Sequence, residues 1–272
     1  MLLIQFGLRC FKVAICDLRE FTRGKAQRLL FLGVVGMLAA MAGQVAQAVT
    51  CSQVSSSGTS FVVCRAEVHR DDVRVFLKDA HGQTLGTFDA LEKMLGPQRK
   101  RLAFAMNAGM FHVNRAPVGL LVEDGKEIAP LNTANGAGNF FLKPNGVFFI
   151  DVKGAHVLAS SKFAAARAEV SMATQSGPLL VEAGAIHPKF NASSKSLYIR
   201  NGVGVDAVGT IIFAASDAPL TLYDFAIFYR DVLHCPDALY LDGSVSSIYA
   251  PSLGVRIQRA DRGPIVAVVE AQ

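Results

Sequence analysis

The stretch ALYLDGSVSSIYAP, residues 238–251, carries an apolar run into one acidic residue and then into a row of mostly small ones. Leu239, Tyr240 and Leu241 read as the end of a buried strand, and Asp242 arrives where that strand runs out. Gly243, Ser244, Val245, Ser246 and Ser247 follow. A carboxylate in an apolar setting costs free energy unless it is paired or put to use. The same design recurs upstream, as MNAGMF at residues 106–111, TQSGP at 174–178 and LYIRNGVGVDAVG at 197–209. Each is an apolar strand ending in hydrogen-bonding and small residues, which predicts strand ends gathered around one shared cleft. The plainer alternative is a structural Arg–Asp pair that holds strands together.

Strand-like runs dominate the rest, among them FVVCRAEVH at 61–69 and VRVFLKD at 73–79. Asp124-Gly125 predicts one hairpin turn and Asn145-Gly146 a second. A helix is expected over residues 89–95, ended by Gly96-Pro97, and another over 160–169. Thr221 and Asp224 form a capping box for a helix over 221–233, with Leu222, Phe225, Ala226, Tyr229 and Leu233 on one face. That helix is placed to cross over between parallel neighbouring strands. The pattern predicts an α+β fold, a single domain over residues 49–272 with a large curved mixed β-sheet flanked by helices.

Residues 1–48 read differently. Arg9, Lys12, Arg19, Arg23, Lys25 and Arg28 precede the fifteen-residue apolar run 29–43, and Ala46-Gln47-Ala48 follows. This is the order of a secretory signal cleaved after Ala48. The run is shorter than the roughly 20 residues that span a bilayer; the alternative is an uncleaved N-terminal anchor, the one route by which a membrane would be a partner. The segment holds 6 basic and 2 acidic residues; removing it from the chain's 27 and 22 leaves 21 and 20. Such a balance gives no footprint for nucleic acid, which is excluded as a partner. A periplasmic or secreted location is expected. There Cys51 and Cys64 are expected to pair, closing a short loop worth about 3 kcal/mol by chain entropy. Cys235 beside His234 is then left as a small buried hydrophobe or, alternatively, a nucleophile. No CxxC, HxxxH or HExxH pattern suggests zinc.

In order and spacing, MNAGMF, TQSGPLL, YIRNGVGVD and YLDGSVSS resemble the motifs of the phosphodiester glycosidase family. Residues 116–148, APVGLLVEDGKEIAPLNTANGAGNFFLKPNGVF, are similar to its exported bacterial members. The resemblance implies an enzyme that cleaves a sugar-1-phosphodiester, possible substrates including N-acetylglucosamine-type groups on envelope polysaccharides. Two departures stand out: Ala108 replaces a glycine of the first motif, and Ser244 and Val245 replace two of the last. They favour the alternative of a catalytically inactive protein with the same fold that binds glycans or anions.

The chemistry of such a substrate assigns the candidates. Asp242 is the expected catalytic carboxylate, because an oxocarbenium-like state needs one nearby; Asp206 is second and Glu123 third. Arg200 suits the phosphate with a planar charged fork. Asn107, Gln175, Ser176, Asn201, Ser247 and His112 are the binding candidates, together with Gly109, Gly177 and Gly243. Backbone N–H groups near Gly202, Gly204 and Gly243 would add donors if their turns form a nest. No cofactor is expected, although two aspartates and several carbonyls could hold calcium.

Overall fold

The computed structural model describes residues 49–166, 169–243 and 245–272. The expected targeting segment and Ser244 lie outside the described residues. Short turns dominate the connections. Ser57-Gly58, Asp124-Gly125 and Ala183-Gly184 each place two consecutive residues at positive φ, the geometry that joins antiparallel strands with two residues. Asp124-Gly125 was legible as such a turn; the other two lack the Asn or Asp signal.

The strands form three sheets. The first runs in the order Thr50–Ser56, Thr59–Ala66, Ile211–Ser216, Asn201–Val205, Asp237–Tyr240, Leu179–Glu182, Ala185–Ile186. The second is Val255–Ile257, Ile248–Ala250, Lys100–Asn107, Ile265–Ala271, Asp72–Phe76. The third is Lys126–Ala129, Leu121–Glu123, Val170–Ser176, Gly146–Asp151, Gly154–Ala159. All described pairings within them are antiparallel. The α+β class stands, while the single mixed sheet is replaced by three antiparallel ones within one compact unit. Hairpins make antiparallel neighbours, and there are too few helical crossovers to build a parallel sheet.

The sheets close around a common core. Phe104 of the second sheet lies 4.8 Å from Phe213 of the first, and Phe148 of the third lies 5.9 Å from the same ring. All three are fully buried, each burial contributing about 1.5–3 kcal/mol. Helix Phe88–Leu95 covers the second sheet with Phe88, Leu91 and Leu95, and Thr87 caps it through Ala90 N. Helix Leu222–Ile227 covers the first, with Phe225 and Phe228 stacked on Phe61.

The capping box forms as the sequence implies: Asp224 N donates to Thr221 Oγ1 at 3.0 Å, and the hydroxyl donates back to the Asp224 carboxylate at 2.7 Å. Beyond Ile227 the winding loosens into a π turn, Phe228–Val232. The helix joins two strands that run the same way, but they are not the neighbours the sequence suggested: Ile211–Ser216 and Asp237–Tyr240 lie on either side of Asn201–Val205, each antiparallel to it. Helix Ser160–Ala166 matches the start of the expected 160–169.

One turn was misread. Asn145-Gly146 is not a hairpin tip: Gly146 begins a strand, and a Cβ there would sit 2.5 Å from Leu179 Cδ2. Its lack of a side chain serves close packing. The disulfide Cys51–Cys64 forms between residues directly opposite in the edge hairpin. Among the described residues no helix is long and apolar enough to cross a membrane.

Candidate active site

Three sheets meet at Leu241-Asp242. From the second sheet, Asn107 ends the strand Lys100–Asn107; from the first, Asn201 begins Asn201–Val205; from the third, Ser176 ends Val170–Ser176. Asn201 Nδ2 donates to Asn107 Oδ1 at 2.5 Å. Asn107 Oδ1 also accepts from Ser247 N at 3.0 Å, and Asn107 Nδ2 donates to the Asp242 carbonyl at 3.3 Å. Asn201 Oδ1 accepts from Asp242 N at 3.0 Å. Ser176 Oγ donates to the Leu241 carbonyl at 2.7 Å. Both asparagines, Ser176 and Ser247 are buried. A buried amide pays for its desolvation only when bonded, and these are. The result is an Asp242 backbone gripped from three directions, with the residue itself half-buried.

Arg200 sits beside this junction but not as an open fork. It is 1% exposed, and three of its five donors are bonded inside the protein. Nε donates to the Leu220 carbonyl at 3.1 Å, Nη1 to Tyr240 Oη at 3.2 Å and Nη2 to the Ser196 carbonyl at 2.9 Å. The guanidinium lies between two rings, 5.1 Å from the Tyr198 centroid and 5.3 Å from that of Tyr240. The Tyr240 hydroxyl in turn accepts from Gly243 N at 2.5 Å. Burial pushes the Tyr240 phenol up; Arg200 pulls it down and the Asp242 charge raises it. The expected phosphate fork is therefore corrected to a buried hub, because aromatic and carbonyl partners close around it.

Tyr240 escaped the sequence reading. The signal was present: strand alternation puts residues 240 and 242 on one face.

Other expected residues take structural posts. Gln175 is 1% exposed and its amide is saturated. Its Oε1 accepts from Leu120 N and Asn132 N, and its Nε2 donates to the Asn132 carbonyl and Ser160 Oγ. It is corrected from a sugar ligand to a brace for the 118–132 segment. Ser247 Oγ donates to the Val245 carbonyl and accepts from Arg259 N. His112 is exposed in the turn after Phe111, its backbone N–H bonded to the Ala116 carbonyl.

The glycines are close-approach positions. A Cβ on Gly109 would lie 2.1 Å from the Gln175 carbonyl oxygen, one on Gly177 2.7 Å from Asn145 Cβ, and one on Gly243 2.2 Å from the Ile199 carbonyl oxygen. The small residue after Asp242 thus makes room for the protein's own backbone. Gly202 and Gly204 are paired on both sides within their strand, so they form no anion-binding nest.

Asp206 does not join the site. It follows Val205 at the far end of the strand that Asn201 begins, a separation of about 17 Å at strand rise. Its Oδ1 accepts from Val208 N and Thr210 N, an ordinary turn. It lines a separate cavity of about 580 Å³ with His69, His156 and Asp237. The aspartates considered for calcium are therefore apart, and among the described residues no group of three or more His, Cys, Asp or Glu side chains is placed to hold a metal ion. Cys235 is buried against Gly204, and burial pushes its thiol up to about 12, which removes it as a nucleophile. Glu123 is remote, in the third sheet's hairpin; burial and Asp124 push it up to about 7.

Comparison with known proteins gives one consistent result. The model of the phosphodiester glycosidase family matches residues 100–262. The uncharacterized protein YigE of Escherichia coli (strain K12) is 34% identical over 200 residues, covering 74% of this chain and 77% of YigE. Among solved structures, the zebrafish N-acetylglucosamine-1-phosphodiester alpha-N-acetylglucosaminidase catalytic domain, auto-inhibited by its pro-peptide, superposes with a TM-score of 0.55 at 18% identity, covering 81% of each chain. A hypothetical protein from Synechocystis gives 0.53 at 16% identity, over 83% of this chain and 62% of that one. At such identities the likeness is one of fold.

Proposed function

Because the chain belongs to the phosphodiester glycosidase family, we propose that it is an exported hydrolase cleaving the bond between a sugar's anomeric carbon and the phosphate of a sugar-1-phosphodiester in envelope glycans. The single observation that supports this most is the grip on Asp242 by Asn107, Asn201 and the neighbouring Leu241–Ser176 bond. A carboxylate on a backbone fixed by three sheets is pre-organised toward positive charge developing at the anomeric carbon. Phosphate is a fair leaving group, so the reaction makes little demand on a general acid. The disulfide of the edge hairpin supports an oxidising compartment, periplasmic or extracellular.

A second reading, a glycan-binding protein without turnover, draws its support from the engagement of Asn107, Asn201 and Gln175 by protein partners. Ala108 lends that reading less than its sequence position suggested, since it is wholly buried with its N–H on the Pro264 carbonyl. One assay separates the readings. The mature protein is incubated with a UDP-sugar or a methyl sugar-1-phosphodiester, and free sugar is measured beside the Asp242→Asn variant. Release by the native chain and a loss of a thousandfold or more in the variant supports the hydrolase. Saturable binding with no release supports the second reading and overturns the first.

A further inference from the structure

Tyr198 is an aromatic residue that the hydrolase reading leaves without a task. It is 56% exposed, yet it is not loose. Its N–H donates to the Leu220 carbonyl at 3.2 Å, and its own carbonyl accepts from Leu220 N at 2.9 Å. Arg200 pins both flanks by donating to the Ser196 and Leu220 carbonyls. The buried guanidinium lies over one face of the Tyr198 ring at 5.1 Å, which leaves the other face for a ligand. Tyrosine presents a broad apolar face that loses little entropy on binding when already fixed.

The chain beside Tyr198 also reaches the junction. Ile199, the next residue, presses its carbonyl against Gly243, the residue after Asp242. A second route runs from the Tyr198 ring through Arg200 to Tyr240 Oη and on to Gly243 N. Tyr198 is thus held on the same hub that fixes Gly243, the residue after Asp242.

We infer that the outer face of Tyr198 is a carbohydrate-stacking subsite, taking the C–H face of a pyranose ring of the substrate. The inference rests on the hydrolase reading for its ligand class, not for its geometry. A pyranose offers a flat set of slightly positive C–H groups on one side, which complements the negative face of an aromatic ring. The hydroxyls at its edge stay in water, as an exposed position allows.

The chain contains no tryptophan, which gives a clean reporter. Tyr198→Trp in the Asp242→Asn background places a single fluorophore on the proposed platform with turnover removed. Its emission is titrated with the 1-phosphates and methyl 1-phosphodiesters of N-acetylglucosamine, glucose, galactose and mannose. A saturable change with at least one sugar, and none with methyl phosphate, is expected. In the otherwise native chain, Tyr198→Ala should raise KM about tenfold, the scale of one aromatic contact, with a far smaller effect on kcat, and Tyr198→Phe should restore it. Silence toward every sugar, with KM for Tyr198→Ala within twofold of native, overturns the subsite. Sugar release by the native chain with a silent reporter refutes the platform alone. A responsive reporter without any release refutes the hydrolase alone, and failure of both readouts refutes both.

Discussion

The Asn201 amide donates to Asn107 Oδ1 across 2.5 Å, and this contact joins the first sheet to the second at the point where Asp242 is held. Each asparagine also satisfies a backbone N–H of the site, Ser247 N for Asn107 and Asp242 N for Asn201. Replacing Asn201 by Ala removes the side-chain acceptor for the Asp242 amide and the donor to Asn107 Oδ1. The expected cost is about 1–3 kcal/mol, a drop of roughly 2–12 °C in Tm for a domain this size, together with loss of sugar release. Thermal scans of the Asn201→Ala and Asn107→Ala variants check it. Unchanged midpoints would show that the pair does not hold the sheets.

Arg200 offers a test between hub and phosphate fork. As a hub it supports three protein groups, and Arg200→Ala should cost about 2–4 kcal/mol, as breaking a buried hydrogen-bond network does. Arg200→Lys should recover little, since a point charge cannot serve three separated acceptors. A residue that only grips phosphate would instead raise KM and leave the urea midpoint where it was.

Gly243→Ala should be severe for a different reason. The added Cβ would lie 2.2 Å from the Ile199 carbonyl oxygen, which is backbone, and 2.5 Å from Tyr240 Oη, the end of a buried ring held by Arg200. Displacing them costs about 1–3 kcal/mol and moves the backbone adjoining Asp242. The measurement is kcat beside Tm; full activity would show that this stretch has slack.

Glu123 predicts the pH dependence of stability. Its folded pKa is raised to about 7 from the ordinary 4.5, first by burial, then by Asp124, with Arg74 opposing. A raised carboxylate binds its proton more tightly when folded, so its contribution is fully present below about 4.5 and is lost as pH rises through about 7. Glu123→Gln should remove that fall. The variant is expected to match the native chain at pH 4.5 and to exceed it by about 1–2 kcal/mol at pH 8, after a discount for partial exposure. Urea midpoints at the two pH values decide it; equal differences at both would contradict the assignment.

Local chemistry made much of the fold legible. The capping box at Thr221, the Asp124-Gly125 turn, the helix ended by Gly96-Pro97 and the cystine across the edge hairpin are all written within about a dozen residues. The strand ends were legible as polar and small, and their convergence follows from pairings such as Asn107 with Ser247. What could not be read is how each amide is used. Gln175 and Asn107 look alike in sequence, an amide after an apolar strand. Gln175 is consumed by Leu120, Asn132 and Ser160, partners set by the segment folded over it. Asp206 looked close to Arg200 because only five residues intervene, but an extended strand spends them on distance. The three sheets were hidden for a similar reason, since pairings such as Ile211–Ser216 with Thr59–Ala66 join segments far apart along the chain.

The junction at Asp242 depends on threads from positions 107, 176, 201 and 247, so no half of the polypeptide contains it. Long-range closures of this kind come late in assembly. A chain still incomplete, or clipped in any of its sheets, would lack this junction, which would arrive only with the finished molecule.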